Sequence, residues 1–220
     1  MNKTVYQKTL LNQKQLMAAI KKETKPRLLK INRIKLVILP KVFPPKTDSR
    51  LLAQSIKIKN GEVVLDACSG CGVVAIFAAR LAAKVTATDI NPAAIINILE
   101  NAKINNLKNK IIPLKTNLFP KRHRKFDVIT INPPYTDYHA LDIVEKSVFD
   151  LNHKTLIYFF KKAKNYLEPG GRIYLSWANF ADFKLIENLF KKFNYHFQII
   201  AEQKSGPRIY RIYELTDFAN

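Results

Sequence analysis

Four consecutive residues in the middle of the chain carry groups that could do chemistry: Asn132-Pro133-Pro134-Tyr135. They close the apolar, β-branched run Phe126-Asp127-Val128-Ile129-Thr130-Ile131, which reads as a buried strand. Neither proline has an N–H to donate, so the ladder must stop there. The chain therefore presents an amide, proline-flanked carbonyls and a phenol at the C-terminal end of a strand. That is the edge where open α/β sheets bind ligands. Taken alone, the same four residues are equally a strand-ending proline turn with a packed tyrosine.

A second cluster lies upstream. Asp66-Ala67-Cys68-Ser69-Gly70-Cys71-Gly72 follows a short apolar stretch, and Asp89 follows the next one. Glycines let the backbone turn sharply and approach a ligand, and the helix start beyond them adds free N–H donors. Asp89 is placed to accept from both hydroxyls of a ribose. Gly70-x-Gly72-x-x-Ala75 with Asp89 also fits the dinucleotide fingerprint of a nicotinamide-linked oxidoreductase. Against that, Asp66 suits a cationic or amino-bearing ligand better than a pyrophosphate, and no hydride-transfer acid or base follows.

The elements that must hold these residues alternate. Expected strands cover Glu62–Asp66, Val85–Thr88, Lys110–Lys115, Phe126–Ile131 and Arg172–Trp177. Helices lie between them at Gly72–Leu81, from Asn91-Pro92 onward, at Lys154–Leu167 and at Ala181–Phe193. This predicts an α/β fold, a doubly wound and mostly parallel sheet. Tyr195–Glu202 and Arg208–Leu215 add a C-terminal antiparallel hairpin, making seven strands. The front reads differently: an amphipathic helix over 6–23, a strand over Arg33–Leu39, and a helix capped at Thr47-Asp48 running to Ile56. Two segments follow, a basic appendage over 1–50 and the main domain over 51–220.

Lys and Arg number 37 against 17 Asp and Glu, a net +20. Thirteen of those cations and only two acids fall in residues 1–50, so +11 of the surplus is there. Further knots are Lys121-Arg122-His123-Arg124-Lys125 and Lys161-Lys162-Ala163-Lys164. Such a surplus favours polyanionic partners, nucleic-acid contact through the front segment among them; a lysine-rich solvated surface has the same composition. No apolar stretch reaches the roughly 18 residues of a membrane span, and the basic N-terminus lacks a signal peptide's apolar region. The expected location is the cytoplasm. Cys68 and Cys71 are the two cysteines, and their C-x-x-C spacing fits a redox pair or half a zinc site. No second ligand pair accompanies them, so two small residues in a tight turn is the favoured reading, with no metal expected.

Together these stretches resemble the class I S-adenosylmethionine methyltransferases with an Asn-Pro-Pro-Tyr motif, a group that includes release-factor glutamine N5-methyltransferases and N6-adenine methyltransferases. The resemblance covers about 42–215. It implies a Rossmann-like methyltransferase sheet, S-adenosyl-L-methionine as cofactor, and a catalytic motif at Asn132, Pro133, Pro134 and Tyr135. It also implies cofactor contacts from Asp66, Ala67, Cys68, Gly70, Gly72, Asp89, Ile90, Asn117, Leu118 and Asn132, with Thr47 and Asp48 in a segment closing over the methionine end. Cys68 stands where the family usually has its first glycine, and Asn117 where an Asp often meets the adenine amine; an Asn carbonyl can accept the same bond. The front segment is shorter than the helical substrate domain of bacterial release-factor methylases. In such a site the Asn132 oxygen and the Pro133 carbonyl each accept one N–H of a planar NH2, Tyr135 packs on its flat group, and fixed dipoles stabilise the charge on nitrogen as the methyl moves. Asp137, Tyr138 and His139 read as loop and rim. The expected acceptor is a glutamine of a release factor or other translation protein. An RNA or DNA base is the alternative, supported by the charge and by Gly170-Gly171-Arg172, Asn179 and Arg208–Arg211, which resemble guanine N2-methylases of ribosomal RNA. A nucleic-acid-binding module without catalysis is the third reading.

Overall fold

A computed structural model describes residues 3–217; positions 1–2 and 218–220, at the outer ends of the two expected segments, lie outside it. Seven strands form one sheet in the order β5-β4-β3-β6-β7-β9-β8. In chain order these are β3 (Val63–Ala67), β4 (Lys84–Asp89), β5 (Ile111–Lys115), β6 (Phe126–Ile131), β7 (Leu167–Ala178), β8 (Tyr195–Ser205) and β9 (Arg208–Asp217). The first five run parallel, and β9 pairs antiparallel with both β7 and β8. This is the Rossmann-like methyltransferase sheet with its antiparallel hairpin. The β4–β3–β6 centre alternates strictly: Val64 and Val128 face one layer, Leu65 and Ile129 the other.

Helices α2 (Thr47–Ser55), α3 (Val73–Ala78) and α4 (Pro92–Ile104) build the first layer; α5 (Lys154–Ala163) and α6 (Phe183–Lys192) build the second. Both layers bury continuous apolar surface, at roughly 25 cal/mol per Å² removed from water. Two strand ends differ from expectation. The Glu168–Gly171 turn is absorbed into β7 as an irregularity, since Phe126 pairs Leu167 and Val128 already pairs Arg172. The helix before it stops at Ala163 and tightens into a 3-10 turn over Lys164–Tyr166.

At the front, α1 (Lys3–Lys22) is followed by a hairpin, β1 (Arg27–Ile31) and β2 (Ile34–Ile38), where the sequence suggested a single strand. The first arm hides in Arg27-Leu28-Leu29-Lys30-Ile31, whose Leu28 is exposed, so it has no clean alternation. Asn32 takes the left-handed conformation (φ 53°) that the tight turn demands. The hairpin docks on α4 through asparagines spaced four apart. Val37 N–H donates to Asn101 Oδ1 at 2.7 Å, Leu39 N–H to Asn97 Oδ1 at 3.0 Å, and Lys35 N–H to Asn105 Oδ1 at 3.3 Å. Asn97 Nδ2 returns a bond to the Val37 carbonyl at 2.7 Å, and Asn105 Nδ2 one to Lys35 at 2.7 Å. Four helical residues rise about 6 Å and two strand residues about 6.8 Å, so one side-chain amide reaches every second backbone pair. The asparagines act as the missing partner strand of β2.

Candidate active site

The C-terminal ends of β3, β4 and β6 open into a cavity of about 940 Å³. Of the residues expected there, Thr47, Asp48, Asp66, Cys68, Gly70, Asp89, Ile90, Asn117, Leu118 and Asn132 to Tyr135 line it; Ala67 and Gly72 do not. Ala67 is fully buried in the sheet. Gly72 (φ 82°) begins α3, and a Cβ there would come within 3.2 Å of Ile98 on α4. Gly70 (φ 55°) has no atom within 4 Å of where its Cβ would lie, so its backbone is open to the cavity. Cys68, also left-handed at φ 56°, sits in the same turn. Burial pushes both thiols up, Cys71 to about 12, so neither is a thiolate at neutral pH.

Four carboxylates line this space, Asp48, Asp66, Asp89 and Asp150, and burial is the first cause that raises Asp48, Asp66 and Asp89. Asp66 is pushed up from 3.8 to about 6, although Ser69 Oγ, Thr130 Oγ1 and Ala75 N–H all donate to it, at 2.5, 2.7 and 3.1 Å. It thus spends most of its acceptor capacity holding the turn and joining β3 to β6. Asp89 accepts Gly70 N–H at 2.9 Å and Asn91 N–H at 2.8 Å, fixing the turn against the end of β4. Thr88 Oγ1 donates to the Leu118 carbonyl at 2.6 Å, which sets Asn117 and Leu118 at the rim. A cleft of desolvated carboxylates beside an open glycine backbone fits a ligand carrying positive charge and hydroxyl donors.

Asn132, at the end of β6, is gripped. Tyr135 O–H donates to its Oδ1 at 2.5 Å and Ser176 O–H at 2.8 Å, and the two hydroxyls also touch each other. The Asp48 carboxylate faces both the Asn132 amide and the Tyr135 phenol. Burial holds that phenol well above its usual range, so it stays protonated. The Tyr135 ring meets Trp177 edge-on at 5.1 Å and Phe180 at 5.8 Å, while still lining the cavity.

Sequence reasoning missed the far wall. Gln13 and Leu16 of α1 line the cavity, and Thr136 Oγ1 donates to Gln13 Oε1. Along α1, Tyr6 O–H donates to the Asp137 carbonyl, Lys14 to Tyr138 Oη at 2.7 Å, and Lys21 pairs with Asp142 and Glu145. Met17 and Ile20 bury themselves on Val144, Val148 and Phe149. The helix therefore clamps the loop that leaves Tyr135. No local pattern could have revealed this contact over some 124 residues of chain. Ser176 was visible only as the one serine in the largely apolar run Ile173–Ala178.

The model of the methyltransferase small domain family matches residues 34–211. The chain belongs to this family. It is an S-adenosylmethionine-dependent methyltransferase, with the sheet such enzymes share. A Methanocaldococcus jannaschii protein provisionally named an N5-glutamine methyltransferase is 32% identical over 80% of this chain and 92% of its own length. A Glaesserella parasuis methyltransferase for adenine 37 N6 of a valine tRNA is 32% identical over 64% of this chain and 62% of its own. Other relatives are spanned over only 26% to 60% of their length. In fold, the Thermus thermophilus 16S rRNA N2 G1207 methyltransferase superposes with TM-score 0.64 at 22% identity, over 88% of this chain and 50% of that one. Among the described residues no helix is long and apolar enough to cross a membrane.

Proposed function

We propose that this methyltransferase acts on a planar NH2 group, and that its acceptor is a glutamine side chain of a protein of the translation apparatus. The observation that carries the proposal is the cavity shared by Asn132–Tyr135 and the Asp66–Gly72 turn. The relative that aligns over nearly its whole length bears a glutamine methyltransferase name, which supports the same acceptor.

When bound, S-adenosylmethionine supplies an electrophilic methyl. Asp89 and Ile90 are assigned to its ribose side, Asn117 and Leu118 to the adenine, and Asp66, Cys68 and Gly70, with Thr47 and Asp48, to the methionine end; Ala67 and Gly72 support the turn from behind. On the acceptor side, Asn132 Oδ1 and the Pro133 carbonyl each take one N–H and hold the nitrogen in line. Pro134 ends the strand so that both carbonyls stay free, and Tyr135 backs the motif. The two acceptors stabilise charge as it builds on nitrogen, and the proton leaves afterwards, so no strong base is required. The expected cost of Asn132→Ala is ~100-fold or more in methyl transfer with cofactor binding kept, the scale for losing one positioned group. Unchanged turnover would refute the role of Asn132.

A second reading, transfer to an RNA base, is favoured by one observation. Lys46, Lys146, Lys154 and Arg208 line the cavity mouth, and among the described residues none has a carboxylate within 4.0 Å. Methyl-tritiated cofactor incubated with cell lysate separates the two. Label that survives ribonuclease but not protease, and is recovered as methylglutamine, supports the first reading. Label lost with ribonuclease supports the second.

A further inference from the structure

Asn132 Oδ1, Tyr135 Oη and Ser176 Oγ lie within hydrogen-bonding distance of one another in all three pairs. Three contacts share two hydroxyl protons, so only two of the three bonds can exist at once. With both hydroxyls on Asn132, both lone pairs of its oxygen are filled, and the acceptor's N–H has nothing to bond. With one hydroxyl turned onto the other, a lone pair is free while the oxygen keeps one anchor. The change needs only rotation about C–O bonds. Ser176 is fully buried, so water cannot replace it. The Asp48 carboxylate faces the Asn132 amide and the Tyr135 phenol across the same cavity.

We infer that Ser176 is a positioning residue of the methyl-transfer site, forming with Tyr135 a two-hydroxyl cap that holds the Asn132 oxygen at rest and yields one lone pair to an incoming N–H. The cap discriminates: a group that brings a hydrogen can trade for the displaced hydroxyl, and a bare carbonyl or ring nitrogen cannot. It also makes the two hydroxyls interchangeable as anchors. Once the acceptor occupies one lone pair, either hydroxyl suffices for the other. This inference rests on the proposed role of Asn132.

The test is a double-mutant cycle on the full chain. The rate is tritium transfer from saturating S-adenosylmethionine into ribonuclease-treated lysate protein, with cofactor affinity measured by calorimetry. Ser176→Ala alone is expected to lower the rate about threefold. In the Tyr135→Phe background it is expected to lower it by about tenfold or more, because the last hydroxyl on the oxygen is then lost. Cofactor affinity stays within about twofold throughout, and Tyr135→Phe/Ser176→Thr, which restores a hydroxyl, recovers most of the loss. If the doubly truncated variant does not bind cofactor, Tyr135→Phe/Ser176→Cys, whose thiol is a much weaker donor, takes its place. Equal effects of the serine change in both backgrounds would overturn the cap. If Asn132→Ala also left transfer unchanged, the fault would lie in the role of Asn132; if it abolished transfer, in the cap alone.

Discussion

Asp66 is the residue whose charge state carries the most information about the cleft. Burial raises its carboxyl from 3.8 to about 6, so the folded protein holds a proton there that the unfolded chain has released. The stability this contributes is complete below pH 3.8 and is lost as pH rises through about 6. A cation in the cleft reverses the preference, because it favours the ionised form. Binding of S-adenosylmethionine at pH 6 is therefore expected to release a fraction of a proton, and at pH 8 none. Calorimetry in buffers of different ionisation enthalpy reads this directly. Proton uptake at pH 6 would mean that the positive end of the cofactor lies elsewhere.

At the scale of elements, the asparagine ladder on α4 decides how the front hairpin sits. Asn101 is fully buried and bonds Val37 twice and the Cys71 carbonyl once, at 2.8 Å, so it touches the hairpin and the Asp66–Gly72 turn together. Its removal strands backbone groups away from water, each costing about 1–3 kcal/mol. Asn101→Ala is expected to destabilise the protein by roughly 3 kcal/mol in denaturant titration and to weaken cofactor binding through the Cys71 end of the turn. A loss below about 0.5 kcal/mol would show that the hairpin does not depend on the ladder.

Across the whole molecule, the basic front segment is joined to the site at two places: the hairpin on α4, and α1 on the loop after Tyr135. At the second joint Gln13 and Leu16 complete the cavity wall beside that loop, the side the proposed function gives to the acceptor. Ile20 is almost wholly buried against Val144, Val148 and Phe149. Ile20→Asp places a charge in that apolar contact and should release α1 from the loop. The expected result is a rise of about tenfold or more in the acceptor KM with cofactor affinity nearly unchanged, a loss of positioning by about 1.4 kcal/mol or more. A change confined to cofactor affinity would move α1 to the other side of the reaction.

The strand and helix alternation from Glu62 to Leu215, the glycine turn, Asp89 and the Asn-Pro-Pro-Tyr motif were legible because each is written locally. Apolar period, proline punctuation and acidic residues at strand ends are features of neighbours in sequence. The first arm of the hairpin was not legible, because it is an edge strand paired only with β2, with Leu28 exposed and no clean alternation to mark it. Nor were the clamp of α1 on the loop after Tyr135 or the place of Ser176 beside Asn132, which depend on contacts between residues 44 to 131 positions apart. Local chemistry determined which strand ends open into the cavity. Only the tertiary packing decided that the Asn132 oxygen is already held by two hydroxyls, and that a helix from the far N-terminus walls the cavity beside it.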